Sequence, residues 1–481
     1  MAVIASFVLN AVANFALGLL VARLLGPEAF GVYAVAIAGA ATVTIPALDW
    51  IRHAATRFYS DRARTDTPDV RATLDRLLLC VGAVAAAGAG LCGAAGLAGA
   101  WTGGVLAGLA VLLALLGTTL DYFGALARAL WRTGEYALLV VLRNALALAV
   151  VGTTAAATGD AGWTLAAGVA ALAGAATFGA ARLRDPDAPA GRPDHALARS
   201  YARYGLPLVA AGTVAMLQAF ANRAAIAAQF GSAEAGQFAL AYDISVRVVA
   251  FSGTALDLLL LQRAVQAHAT RGLRRAERQA ARNMALILAV LAPLLVGYAV
   301  LLPEFEAVFA PPSFRGPFAT LSLALAPGLA CWGAMAFALT PVFQISGRTL
   351  PLVVPAAVSL AVNLAAGAAL SRPLGTLGYA VAFSAGMAAG CGLLLTMALR
   401  TSRRMFPRGG EVLGIAVATL AMALAIGAAK GRLSPGLDLA AMAGLGAAVY
   451  GAVLLAFDAG GSRRLLRAIR RIAVRPGRAV A

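Results

Sequence analysis

The sequence predicts an all-α integral membrane protein of about fourteen transmembrane helices, built largely from two parallel six-span units. Three observations predict it: a composition too apolar for water, a run of bilayer-length apolar segments with a one-sided charge distribution, and a repeated turn motif. Of 481 residues, 61% are hydrophobic and 12% charged, with a mean hydropathy of +0.82. Soluble domains carry about 25% charged residues, so this chain has too little polar surface to cover a water-exposed body, and a bilayer is its natural solvent.

Crossing a hydrocarbon core of ~30 Å takes about 20 apolar residues. Six such runs, 3–25, 32–51, 77–98, 103–127, 136–157 and 163–181, fill an N-terminal lobe over 1–204. Six more, 205–229, 237–261, 284–302, 319–343, 351–370 and 379–399, fill a C-terminal lobe over 205–400. Two others, 412–429 and 437–457, occupy 401–461, and a basic tail covers 462–481. Lipid cannot satisfy open backbone groups, so these runs are helices. The short alternating segments of a membrane barrel are missing. The first run continues at once into the second and is too long for the core of a secretory signal, so no cleaved leader is expected.

Orientation follows from Arg and Lys. With the N-terminus in the cytoplasm, 31 of the 39 basic residues fall in cytoplasmic segments. Only Arg315, Arg372, Lys430 and Arg432 fall in outside loops, and the remaining four lie within spans. Both termini are then cytoplasmic. The net charge of +18 is thus a matter of topology, and no nucleic-acid partner is expected. The tail repeats Leu465, Leu466, Ile469 and Ile472 among arginines, the pattern of an amphipathic helix lying on an anionic leaflet. Cys80, Cys92, Cys331 and Cys391 sit in apolar runs without metal-site spacing and read as small buried hydrophobes.

The turn Gly26-Pro-Glu-Ala-Phe-Gly31-Val-Tyr33-Ala34-Val-Ala36 has a second copy, Gly231-Ser-Ala-Glu-Ala-Gly236-Gln-Phe238-Ala239-Leu-Ala241. Both glycines, the aromatic and both alanines keep their spacing. Each copy joins the first two spans of a six-span unit in the same sense, which marks a parallel repeat.

Several stretches together resemble the Wzx-type polysaccharide and oligosaccharide flippases of the multidrug/oligosaccharidyl-lipid/polysaccharide exporter (MOP) superfamily. They are Ala22-Arg-Leu-Leu-Gly-Pro-Glu-Ala-Phe-Gly-Val-Tyr33, Arg57-Phe58, Asn222-Arg223, the Gly236 turn with Ala241-Tyr242, Ser346-Gly347-Arg348-Thr349, Asn363, and Gly375-Thr-Leu-Gly378. The chain departs from that family at Asn222, where an acid is common, and at Asp49, where small residues are. The resemblance implies two six-helix lobes around a central cavity, with the last two spans appended. It implies a bacterial inner membrane protein that moves an undecaprenyl-pyrophosphate-linked oligosaccharide outward by alternating access, for lipopolysaccharide or other surface-polysaccharide synthesis and export. The lipid-linked oligosaccharide, the bilayer and a polymerase or export apparatus are the implied partners. No cofactor is expected beyond coupling to H+ or Na+.

An ionised side chain at a bilayer centre costs ~2.5–3.5 kcal/mol on insertion scales, so each one calls for a reason. Arg23, Asp49 and Asp257 lie near span ends, where snorkelling accounts for them. Asp121 and Arg143 lie at equal depth on consecutive spans and read as an ion pair. Arg223, Asp243 and Arg247 set two guanidinium groups against one acid, so the surplus cation is a candidate pyrophosphate contact, with a buried structural triad as the alternative. Gln218 and Asn222 on one span, and Asn10 and Asn14 (with Ser6) on another, form polar stripes suited to sugars or to helix association. The expected substrate pathway is therefore Arg247, Arg223, Asp243, Asn222, Gln218, Asn10, Asn14 and Arg52, with Asp243, Asp121 and Asp49 as coupling acids.

Rival functions are a drug/cation antiporter of the same superfamily, which would favour acids and aromatics in its cavity, and a peptidoglycan-precursor flippase, expected to carry more charge in its first spans than Asn10 and Asn14. A membrane glycosyltransferase or polymerase would need outside acids and metal ligands. Here Glu28, Asp160, Glu234, Glu304, Glu306 and Asp438 are scattered, and His53, His195 and His268 all fall in cytoplasmic segments. The chain is read as a transporter, not an enzyme.

Overall fold

The computed structural model describes residues 2–184, 189–271, 273–345 and 350–457, and among them there is no strand. The tail beyond 457, the Ser346–Thr349 motif and the side chains of Asp257 and His268 lie outside the described residues. The chain divides into two compact units: Met1–Leu240 with Pro311–Phe314 and Gly367–Tyr379, and Ala241–Ala310 with Arg315–Ala366 and Ala380–Ala481.

The first unit holds α1 (Ala2–Phe58), α2 (Asp61–Asp66), α3 (Asp69–Leu97), α4 (Gly104–Ala129) and α5 (Thr133–Leu146). Helix α5 passes through a π-helical turn, Ala147–Val151, into α6 (Gly152–Thr158), and α7 (Ala161–Arg182) and α8 (His195–Phe230) follow. Helix α9 (Ser232–Arg271) starts in this unit and continues into the second. The second unit adds α10 (Leu273–Val300), α11 (Leu302–Phe309), α12 (Pro317–Gly333) and, after the π-helical turn Ala334–Leu339, α13 (Thr340–Ile345). It also holds most of α14 (Val353–Leu374) and α15 (Thr376–Thr401), with all of α16 (Gly409–Ala429) and α17 (Pro435–Ala456).

Every one of the fourteen apolar runs falls on helix. Among the described residues eleven helices are long and apolar enough to cross a membrane, or twelve with a bent pair in α8 taken as one span. The first of them, Val8–Phe58, has 51 residues. At ~1.5 Å per residue a straight helix of that length would reach about 76 Å, far beyond one bilayer, so it accounts for two spans broken at Gly26. Several helices overrun their apolar runs. Helix α3 begins at Asp69, α8 at His195, and α9 continues to Arg271. Hydropathy reports only the lipid-embedded part of a helix, and these charged extensions lie beyond it.

Helix starts are capped by side chains: Asp160 accepts from the Trp163 amide at 2.9 Å and Asp194 from the Ala196 amide at 2.6 Å. The first unit's core gathers Leu48, Trp50, Ile51, Leu74, Tyr122 and Tyr201. In the second unit Leu301, Met422, Ile426 and Met442 hold α16 and α17 to the α10–α11 turn. Tyr450 donates to the Ala289 carbonyl at 2.6 Å and Lys430 to that of Val300 at 2.7 Å, so the appended pair is fastened by polar contacts as well as apolar ones.

Candidate functional site

The duplicated turn shapes one end of the first unit. Gly26 has φ 70 and ψ 176, and Gly231 has φ 94 and ψ 169. Both lie in a region that is essentially glycine-only. Five residues after each turn glycine comes a second one that lets two backbones touch. A Cβ on Gly31 would overlap the Ser232 carbonyl oxygen, and one on Gly236 would overlap that of Pro27. Each glycine meets the residue just after the other copy's turn glycine. The two copies of the turn therefore pack on each other reciprocally, as a local two-fold requires. Side chains brace the second copy: Gln229 donates to the Tyr379 hydroxyl at 2.8 Å, Thr376 to Glu234 at 2.7 Å, and Gln237 to the Ser313 carbonyl at 2.9 Å.

From this crossing the second span of α1 runs along α8. Arg223 donates to the Ala34 carbonyl at 3.3 Å, and Trp50 lies over Gly205. Gln218, Asn222 and Arg223 are 2%, 1% and 5% exposed. This polar stripe is buried.

The far end of the same span carries charge. Arg52 pairs with both carboxylate oxygens of Asp49, Nε to Oδ1 at 2.5 Å and Nη2 to Oδ2 at 3.0 Å. His53 Nε2 stands 3.3 Å from Asp49 Oδ2 and 3.2 Å from Arg52 Nη2. Near the span end, where snorkelling is expected, Asp49 is held by two cationic or polar partners and keeps part of its exposure. Asp121 on α4 meets Arg143 on α5 at 2.8 Å, and its charge also reaches Arg52. All of these side chains keep some exposure, from 20% at Asp49 to 52% at Asp121. Asn144 on α5 donates to Asn10 Oδ1 at 3.0 Å, and Asn14 donates to the same oxygen at 3.0 Å. Asn10 therefore joins α1 to α5, with Asn14 bonded to it from the next turn of α1.

In the second unit Asp243 and Arg247 are both half-buried on α9. Ser245, between them in sequence, is fully buried and bonds the hydroxyls of Tyr298 at 3.0 Å and Ser322 at 3.3 Å. Tyr242 packs edge-on against Phe383. Cys80 is exposed and the other cysteines are half-buried, which corrects the expectation of four buried hydrophobes, and Cys331 and Cys391 hydrogen-bond to each other. Sequence reasoning missed Asn144, His53 and the Ser245–Tyr298–Ser322 group. Only His53 left a signal, its place beside Asp49 and Arg52. Among the described residues no group of three or more His, Cys, Asp or Glu is placed to hold a metal ion. What the first unit does offer is guanidinium forks and amides, the donors that recognise anions and sugars.

No protein-family model matches the sequence, and no curated relative matches it. Solved structures of membrane transporters share its fold. A lipid II flippase, MurJ, in an inward closed conformation superposes with a TM-score of 0.68 at 12% identity, covering 96% of this chain and 98% of its own. An inward-facing multidrug-resistance MATE transporter of the MOP superfamily gives 0.61 at 15% identity, covering 82% of this chain and 95% of its own. A MATE crystal structure in the straight conformation gives 0.53 at 14% identity, covering 83% of this chain and 94% of its own.

Proposed function

We propose that this protein is a flippase for a polyprenyl-pyrophosphate-linked oligosaccharide, acting by alternating access in a bacterial inner membrane. The supporting observation is the pattern of coverage. The lipid II flippase accounts for 96% of the chain and the MATE transporter for 82%, each over nearly its own full length. This chain is thus long by MATE standards and matched end to end by a lipid flippase. A sugar-pyrophosphate head cannot enter hydrocarbon, whereas a polyprenyl tail can remain there, so the protein has only to supply a path for the head. In the first unit that path is offered by Arg52 and Arg143, whose planar forks suit pyrophosphate oxygens, with the Asn10–Asn144 amides near the sugar. Arg247 is a separate anion contact within the second unit. Asp243, Asp121 and Asp49 are the acids for H+ or Na+ coupling. The product feeds surface-polysaccharide synthesis.

The test is the appearance of a fluorescent lipid-linked oligosaccharide in the opposite leaflet of vesicles containing the purified protein. Flipping that is lost in Arg52→Gln and Arg247→Gln, per folded molecule, supports the reading. No flipping of any pyrophosphate-linked glycan, together with drug-driven proton or sodium exchange, would establish the second reading, a drug antiporter, which the MATE likeness favours.

A further inference from the structure

We infer that His53 is the switch that makes Arg52 available to an anionic group, so that anion binding in the first unit is linked to uptake of one proton. The inference rests on the anion-binding role proposed above for Arg52. Its basis is the way one imidazole nitrogen is shared. His53 Nε2 lies 3.2 Å from Arg52 Nη2 and 3.3 Å from Asp49 Oδ2. A guanidinium only donates and a carboxylate only accepts. The nitrogen can satisfy one of these neighbours at a time. Neutral His53, with Nε2 unprotonated, accepts from Arg52, and Arg52 is held in a closed knot with both Asp49 oxygens. A proton on Nε2 makes it a donor to Asp49 instead: in the neutral Nε2–H tautomer this happens without a change of charge, and in the imidazolium it also sets a like charge against Arg52. The imidazolium shares the neutralisation of Asp49, so the three side chains carry one surplus positive charge and the hold of Asp49 on Arg52 is weakened. Of the arrangements open to these three side chains, only the imidazolium one adds the surplus charge that makes Arg52 available to an anion.

The surroundings leave this choice to His53. On α1 itself the charged groups are Asp49, Arg52 and, one turn on, Arg57, which lies 5.7 Å from the centre of the Tyr204 ring of α8, next to Arg203. From α4 comes Asp121, engaged by Arg143 of α5 at 2.8 Å. From α3 comes Asp75, already held by Arg71 at 2.7 Å and by the Tyr122 hydroxyl at 2.6 Å. Among these groups the imidazole is the one whose ordinary titration range lies near neutrality. The sign follows: proton and anion bind cooperatively, so anion affinity rises as pH falls, and by reciprocity anion binding draws in a proton.

The probe is methanedisulfonate, a pyrophosphate-shaped dianion whose own charge is fixed across the range. It is titrated calorimetrically into the full-length protein in nanodiscs at about pH 5.5 and about pH 8. The wild type should bind about tenfold more tightly at the lower pH, within the usual span of coupled sites. Its binding enthalpy should vary with the ionisation heat of the buffer, by up to one proton taken up per anion near neutrality. His53→Gln keeps a hydrogen-bonding side chain that cannot titrate, and it should bind equally at both pH values without buffer dependence. His53→Asn guards against a folding defect in that variant and should behave alike. Wild-type binding that is lost in Arg52→Gln but indifferent to pH would overturn the switch and leave the anion site standing, as would an unchanged pH response in both His53 variants. Binding that survives Arg52→Gln, or no binding by the wild type, would remove the anion site and the switch together.

Discussion

The second span of α1 has two unlike ends. At one, Gly31 and Gly236 bring two copies of the same turn into backbone contact, with no side chain between them. At the other, Asp49, Arg52 and His53 hold one another while each remains partly exposed. The first end is a backbone contact with no room for an extra methyl group. The second is a charged cluster with alternative pairings. On the proposed alternating-access reading, the glycine crossing serves as a seal and the charged cluster as a ligand-sensitive device about a membrane thickness away. The positive-inside count predicts the glycine end outside and the charged end at the cytoplasmic side.

Breaking the seal should have the largest effect. A Cβ at Gly31 would fall on a backbone oxygen, which cannot move aside like a side-chain tip. Gly31→Val and Gly236→Val should each abolish lipid-head transport, by at least about a hundredfold, and overpacking should lower stability by ~1–3 kcal/mol. Transport per folded molecule, with abundance followed by fluorescence-detected size exclusion, checks this. Near-normal transport in either variant would show that the contact is dispensable. Gly26→Ala and Gly231→Ala come next. They leave the crossing itself clear but force alanine into a glycine-only conformation, at a cost of ~1–3 kcal/mol. The near-identical angles at the two glycines predict similar losses of thermal stability, and a loss confined to one of them would argue against a functional two-fold.

The fold was legible in the sequence because each of its determinants is periodic or compositional. Bilayer-length apolar runs, arginine asymmetry and glycine spacing all survive without knowledge of tertiary contacts. The repeat was legible for a related reason: only glycine serves at 26, 31, 231 and 236, so the backbone requirement is written directly as residue identity. The candidate site was less so. Asp121 and Arg143 could be paired from equal depth on neighbouring spans. Asn144, by contrast, lies in an unremarkable stretch of α5 and gains meaning only when Asn10 arrives from α1. His53 was assigned to a cytoplasmic segment because the apolar run ends at 51, whereas the helix continues to Phe58 and holds the imidazole one turn from Asp49. Gln218 and Asn222 read as a stripe suited to sugars or to helix association, and helix periodicity alone does not distinguish the two.

The smallest expected effect separates the charged cluster from ordinary surface electrostatics. Asp121 and Arg143 are 52% and 27% exposed at the side chain, and a pair of that exposure contributes about 0.2–1 kcal/mol. Asp121→Asn and Arg143→Gln should each change thermal stability only slightly, with a double mutant no less stable than the worse single. Their effects on anion affinity should point in opposite directions. Arg143→Gln removes a donor and weakens methanedisulfonate binding by a few-fold. Asp121→Asn frees Arg143 and removes an acid whose charge reaches Arg52, so binding strengthens by a similar factor. The calorimetric titration used for His53 measures both. If the pair only braces α4 against α5, neither variant moves the affinity and the double mutant matches wild type. The anion-recognising part of the molecule would then shrink to the Arg52 end of α1.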